Sequence, residues 1–264
     1  MDFMICAHGD PSEEKFIPHI KDYVDGVELQ NYGLKGSKSI AAWNEKLTQH
    51  KNIAKKLPGR LAVHGPFFGM DYTCQDHLVR EAVKKRLDMT YQMVCELKPD
   101  TLVLHARWSE ELGKFSLGDN WIEENAAFWK NEILRYTEIG VRIVLENVME
   151  HNPDMGIKLA DAVNHENLGL CLDIGHANLA SSLAPAKWVK KMGKRLKHVH
   201  LHDNNGKRDE HLPIGQGNID FDPFFEALHK WTPEVTVSLE VMAEPEEVVK
   251  NAVSVTEKYR KTGK

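Results

Sequence analysis

The sequence predicts a single (β/α)₈ barrel, and three observations carry that prediction. The chain has 264 residues, close to the roughly 250 typical of that fold. A short apolar, β-branched run followed by a longer amphipathic segment recurs eight times. Several of those runs are apolar at nearly every position, as in Leu102-Val103-Leu104 and Ile143-Val144-Leu145, which suits parallel strands buried on both faces.

In order, the expected strands are Phe3–Ala7, Gly26–Gln30, Arg60–His64, Thr101–His105, Arg142–Glu146, Leu168–Asp173, Leu196–His202 and Val235–Val241. Helical patterns fall between and after them at 12–23, 38–56, 75–97, 121–139, 154–164, 185–194, 221–230 and 245–260. Breakers sit at the joints, among them Pro58-Gly59, Lys98-Pro99-Asp100 and Gly140. Strand and helix in strict alternation imply parallel pairing through right-handed crossovers. An open doubly wound sheet shares this alternation, but no glycine-rich phosphate loop follows any strand. With no linker or shift in composition, residues 1–264 are read as one domain.

Composition narrows the function classes. Apolar residues make up 42% and charged residues 28%, enough for a core without staples. A net charge of −5 argues against strong nonspecific attraction to nucleic acid or an anionic membrane. Cys6, Cys74, Cys95 and Cys171 are far apart and form no CxxC pair, so they read as buried thiols in a reducing compartment. No secretory signal and no membrane-length apolar run is visible, which makes the cytoplasm the expected location.

Chemistry enters where polar residues interrupt the strands. His64 ends the third run (LAVHGPF), His105 the fourth (LVLHARW) and Glu146 the fifth (VLENV). Asp173 and His176 close the sixth (CLDIGHANL), His200 sits in the seventh (HVHLHD) and Glu240 in the eighth (VSLEVM). Asp209 and His211 follow the seventh in GKRDEHLPIGQG. In a barrel all these strand ends converge on the face where such enzymes hold their active sites. Taken one at a time, each residue reads as a hydrogen-bonded core histidine or a carboxylate paired with a base. Together those readings fail, because four carboxylates and five imidazoles in one pocket cost several kcal/mol per unpaired charge. Divalent cations remove that cost, and nitrogen with hard oxygen ligands suits Zn²⁺, Mn²⁺, Fe²⁺ or Co²⁺.

The order of these motifs resembles the xylose isomerase-like superfamily, over about two thirds of the chain. Its branches include endonuclease IV-type enzymes and sugar or sugar-phosphate isomerases and epimerases. The endonuclease IV likeness implies up to three metal ions, most naturally zinc. His64, His105 and Glu146 would hold one. Glu146 would bridge to a second, completed by Asp173, His200 and Glu240, and His176, Asp209 and His211 would hold the third. Glu146 and Glu240 would then be catalytic, and the expected reaction is hydrolysis of a phosphate ester or diester on a sugar-containing substrate. The isomerase and epimerase branch implies one metal on Glu146, Asp173, His200 and Glu240, with the two glutamates as acid and base.

DNA-reading members carry basic loops after the early strands. The corresponding stretches here, Asn31–Gly36 and Gly65–Gly69, lack that arginine-rich character. A small sugar or phosphosugar is therefore favoured over abasic DNA. Phe67, Phe68 and Tyr72 read as pocket walls or as a wedge. Arg107, Lys207 and Arg208 are placed to contact a phosphate or sugar hydroxyl, and the basic run Lys187–Lys197 reads as a solvated helix face.

Overall fold

A computed structural model describes residues 1–8, 17–33, 38–56, 59–108 and 120–260. Its eight strands are β1 (Asp2–Ala7), β2 (Gly26–Leu29), β3 (Arg60–His64), β4 (Thr101–His105), β5 (Arg142–Glu146), β6 (Leu168–Asp173), β7 (Leu196–Leu201) and β8 (Thr236–Leu239). All pair in parallel, each with its sequence neighbours, and β1 pairs β8 to close the barrel. The closing register matches Asp2 with Thr236 and Ile5 with Leu239.

The helices are α1 (Ile17–Ile20), α2 (Ile40–Lys56), α3 (His77–Leu97), α4 (Trp121–Glu138), α5 (Asp154–Val163), α6 (Ile174–Ala180), α7 (Pro185–Met192), α8 (Phe221–Trp231) and α9 (Pro245–Tyr259). The sequence-based reading places seven of these within two residues at each end. Over 12–23 it gives a longer helix than α1, and residues 12–16 of that range lie outside the described residues. It misses α6, because IGHANLA is too short to show a helical period. What starts α6 is a cap: the Asp173 carboxylate accepts the His176 backbone N–H at 2.7 Å.

Period-two alternation along the strands sorts the core into two parts. Outward residues such as Ile5, Leu29, Val63, Leu104, Leu145, Leu172, Val199 and Val237 pack under the helices as one large cluster. Inward, Val103, Val144 and Cys171 form a small separate cluster. Two residues further along the same faces stand His105, Glu146 and Asp173, so strand geometry alone aims these side chains into the barrel mouth.

Among the described residues no helix is long and apolar enough to cross a membrane. All four cysteines are free; Cys6 and Cys171 are buried, while Cys74 and Cys95 are only partly so. The basic stretch before β7 pairs with α5, Lys191 with Asp154 at 2.6 Å and Arg195 with Asp161 at 2.5 Å. That is the solvated helix face expected from sequence.

Candidate metal centre

All nine expected ligands come together. Glu146, at the end of β5, lies at their middle and faces two ways. Its Oε2 stands 3.1 Å from His64 Nε2 and 3.5 Å from His105 Nε2. Its Oε1 stands 3.3 Å from His176 Nδ1 and 3.4 Å from His200 Nδ1. Beyond His176, the Asp209 carboxylate is 3.4 Å from His176 Nε2 and 3.0 Å from His211 Nε2.

The imidazoles are held from behind. His64 donates from Nδ1 to the Gly65 carbonyl at 2.8 Å, and His211 donates from Nδ1 to the Glu240 carbonyl at 2.9 Å. His176 donates from Nδ1 to the Asn147 carbonyl at 2.9 Å. His200 donates from Nε2 to the Glu28 carboxylate at 2.9 Å. In each ring one nitrogen is anchored to an acceptor and the other is turned into the site. This is the arrangement that fixes the tautomer of metal-binding histidines.

His200 supplies the most telling atom. Its Nδ1 is buried without a hydrogen-bond partner. Around it stand Glu240 Oε2 at 3.3 Å, Glu146 Oε1 at 3.4 Å and Asp173 Oδ2 at 3.8 Å. A ring nitrogen facing three carboxylate oxygens fits a divalent cation, and the oxygen-rich donor set suits a hard or borderline one. Three-residue groups with ligand atoms mutually within 4.8 Å include His64–His105–Glu146 and Glu146–Asp173–His176.

Electrostatics agree with a site built for cations. Burial opposes ionisation of Glu146, yet His200 and His105 hold its carboxyl well below the usual range. Burial likewise opposes the Asp173 anion, but His176 and His202 bring it down to about 2. Burial disfavours the His211 cation, while Asp209 and Glu240 raise it to about 9. His105 is the exception, since burial drives it down to about 3 and it stands neutral. Protons on the imidazoles thus balance the carboxylates, and a metal ion would displace them.

Sequence reasoning passes over several residues here. His202 is buried, holds the Asp173 carboxylate at 3.2 Å and stacks on His211 with ring centroids 3.9 Å apart. Its ring lies so close to Gly175 that a Cβ there would sit 1.9 Å from His202 Cε1. Glu28 on β2 and Gln30 just past its end reach His200 and Glu240. The signal is present in the sequence, because His198, His200 and His202 alternate along β7 and just past its end, as Glu28 and Gln30 do for β2.

Of the remaining expected residues, Arg107, Lys207 and Arg208 are exposed on the loops after β4 and β7. Arg107 sits at φ 64°, uncommon for a residue with a side chain. Phe67 stacks on His105 at 4.9 Å and meets His64 edge-on, whereas Tyr72 is buried against Phe128 and Trp129. Phe67 therefore walls the site, Tyr72 belongs to the core beneath the helices, and Phe68 is well exposed. The stretch Asn31–Gly36 lies partly outside the described residues.

A family model described as xylose isomerase-like TIM barrel matches residues 20–259. The chain is 32% identical over 190 residues to the uncharacterized protein MJ1311 of Methanocaldococcus jannaschii, a match covering 68% of this chain and 64% of that protein. It thus spans less than two thirds of that relative's length. Among solved structures, a D-tagatose 3-epimerase-like protein superposes with TM-score 0.75 at 24% identity, over 98% of this chain and 97% of its own. A D-allulose 3-epimerase from Methylomonas sp. in complex with D-allulose gives 0.73 at 18%, over 98% and 97%. An IOLI protein with a bound zinc atom gives 0.73 at 17%, over 99% and 100%. At these identities the structural likeness shows the fold.

Proposed function

The chain belongs to the xylose isomerase-like TIM barrel family, and on that premise we propose that it is a divalent-metal-dependent isomerase or epimerase of a small sugar or sugar phosphate. The observation that carries this reading is the unpartnered His200 Nδ1 facing carboxylate oxygens of Glu146, Asp173 and Glu240. The named sugar epimerases among the structural relatives support it over the phosphoester hydrolysis expected from sequence.

Glu146, Asp173, His200 and Glu240 would hold the cation, whose charge would polarise a substrate carbonyl and acidify the carbon beside it. The proton work falls to Glu146 and Glu240. Gln30 Nε2 donates to Glu240 Oε1 at 2.8 Å, which leaves Oε2 turned to the site as the proton acceptor. Glu240 Oε2 removes the proton from the carbon next to the carbonyl, and the C–H electron pair becomes the C=C of an enediolate. Inversion needs a proton on the opposite face of that carbon, where Glu146, ionised at rest, would take one from water or a substrate hydroxyl and pass it on, while Glu240 releases its own to solvent. Return to the neighbouring carbon would isomerise the sugar instead. Asp173, held by His202, positions rather than transfers.

A second reading rests on a separate observation. Glu146 presents its two oxygens to two different pairs of imidazoles, as a bridging carboxylate would, and Asp209 with His176 and His211 forms a further cluster. That favours up to three zinc ions and hydrolysis of a phosphate ester.

Elemental analysis of protein purified without chelator, combined with two substrate panels, separates the readings. The epimerase predicts exchange of the carbon-bound hydrogen of a ketose or its phosphate in D₂O, lost in Glu240→Gln and largely kept in His211→Ala. Three metals per chain, release of phosphate from phosphosugars or cleavage of abasic DNA, and loss of both one metal and turnover in His211→Ala would establish the hydrolase instead.

A further inference from the structure

Strand β2 contributes none of the nine candidate ligands, yet it carries a fully buried carboxylate. Glu28 is 0% exposed and, among the described residues, its hydrogen-bond and ion-pair partners are not lysine or arginine. Its Oε2 takes a hydrogen bond from His198 Nε2 at 2.7 Å, and its Oε1 takes one from His200 Nε2 at 2.9 Å. His198 in turn is fixed by the Thr236 hydroxyl at 2.5 Å and lies 3.0 Å from the Ser238 hydroxyl. Two residues on, Gln30 points the same way and donates to Glu240 Oε1 at 2.8 Å. A chain of contacts therefore runs from Thr236, through His198 and Glu28, to His200, and ends at the unpartnered Nδ1. A buried carboxylate in an apolar barrel is costly to keep, and packing does not require it. What it does achieve is specific. A carboxylate can only accept, so His200 must carry its proton on Nε2 and offer the lone pair of Nδ1.

We infer that Glu28 is a positioning residue of the metal centre: from β2 it fixes the tautomer and rotamer of His200, while Gln30, one residue past the strand's end, orients Glu240. The inference rests on the metal-site reading above and adds to it two residues that touch no metal. Orienting partners of this kind are worth about 10- to 100-fold in metal affinity. Glu28→Gln keeps the shape of the side chain but replaces one acceptor oxygen by a donor, so it cannot satisfy both imidazoles.

The test measures Zn²⁺ affinity by calorimetry on the full chain, alongside circular dichroism to show that each variant is folded. Glu28→Gln is expected to bind Zn²⁺ about 10- to 100-fold more weakly than the unaltered chain, and Gln30→Met to weaken it less. Nitrogen-15 NMR of the unaltered protein with Zn²⁺ provides the independent arm, expected to show His200 metal-bound through Nδ1 and protonated on Nε2. Unaltered affinity in a folded Glu28→Gln overturns the role of Glu28 while leaving the metal site standing. If that variant does not fold, the NMR decides alone, and metal on Nε2 of His200 overturns the inference. An unaltered chain that takes up no Zn²⁺ overturns the metal-site reading and this one with it.

Discussion

The candidate centre is built by two different means, and the contrast between them is instructive. One half stands on the barrel. His105 and Glu146 are register partners on β4 and β5, and Asp173 and His200 are partners on β6 and β7, so ladder hydrogen bonds on both sides fix their spacing. The other half, Asp209 and His211, stands on the segment between β7 and α8. Within that segment Asp203 and Leu212 form one isolated bridge, and His211 reaches the residue after β8 by donating to the Glu240 carbonyl. The segment's shape comes from one buried side chain: Asp203 accepts backbone N–H groups from Asn204, Gly215, Gly217 and Ile219 at 2.8–3.2 Å. Gly217 is required there, since a Cβ would lie 2.3 Å from Asp203 Oδ1. His211 itself sits at φ 49°, a conformation that costs a side-chain-bearing residue about 1–2 kcal/mol. A sheet places ligands through pairing it would make anyway. A loop needs a dedicated organiser.

Three measurements break or sharpen this contrast. The largest effect is expected on the barrel half. Asp173→Asn keeps the shape but removes a ligand charge, and bound metal and turnover should fall together, turnover by about 10³-fold or roughly 4 kcal/mol in barrier. Metal content near the unaltered value would show that the barrel half is not the primary site. Next comes the loop organiser. Asp203→Ala strips the acceptor from four amides and should cost about 3 kcal/mol of stability, read as a shift in Tm. It should also loosen Asp209 and His211 while the barrel half still takes up its cation. If the barrel half loses its metal as well, the two halves are one unit.

The last effect is electrostatic. In metal-free protein, burial works against the His211 cation, but Asp209 and Glu240 hold it up to about 9, above the unfolded value of about 6.5. The protonated ring then favours the folded chain. Its contribution is fully present below pH 6.5 and is lost as pH rises through 9. The stability gap between unaltered protein and His211→Gln should accordingly narrow by roughly 3 kcal/mol between pH 6 and 9.5. A constant gap would show that Asp209 does not engage a charged His211.

The same contrast explains what was legible in the sequence. The strand-end ligands could be read because a polar residue closing a run such as Leu102-Val103-Leu104-His105 has one place to go once the barrel is recognised. Asp209 and His211 stand out as ligand types in the loop after the seventh run, but only the likeness to a known family assigns them a metal of their own. Nothing in Asp203 itself announces a residue that gathers four amides, since those partners lie up to sixteen positions away. Glu28 and Gln30 were missed for a different reason. Alternation shows that they share a face of β2 but not whether that face looks inward or out, and only strand pairing decides it. The helix Ile174–Ala180 escaped because its start depends on the side chain of Asp173 rather than on a repeat.

Barrel closure has a consequence for how this chain folds. The last seam joins residues 2–5 to residues 236–239, nearly the whole length apart, so the loop-closure cost falls on one late, nonlocal event. Glu240 follows directly on that seam, and until it closes the pocket around His200 lacks one wall. A cation that needs all four side chains has nothing complete to bind before then. Its stabilisation belongs to the native side of the transition state, where it slows unfolding without hastening folding. Metal in this barrel would act as a latch, set after the staves have met.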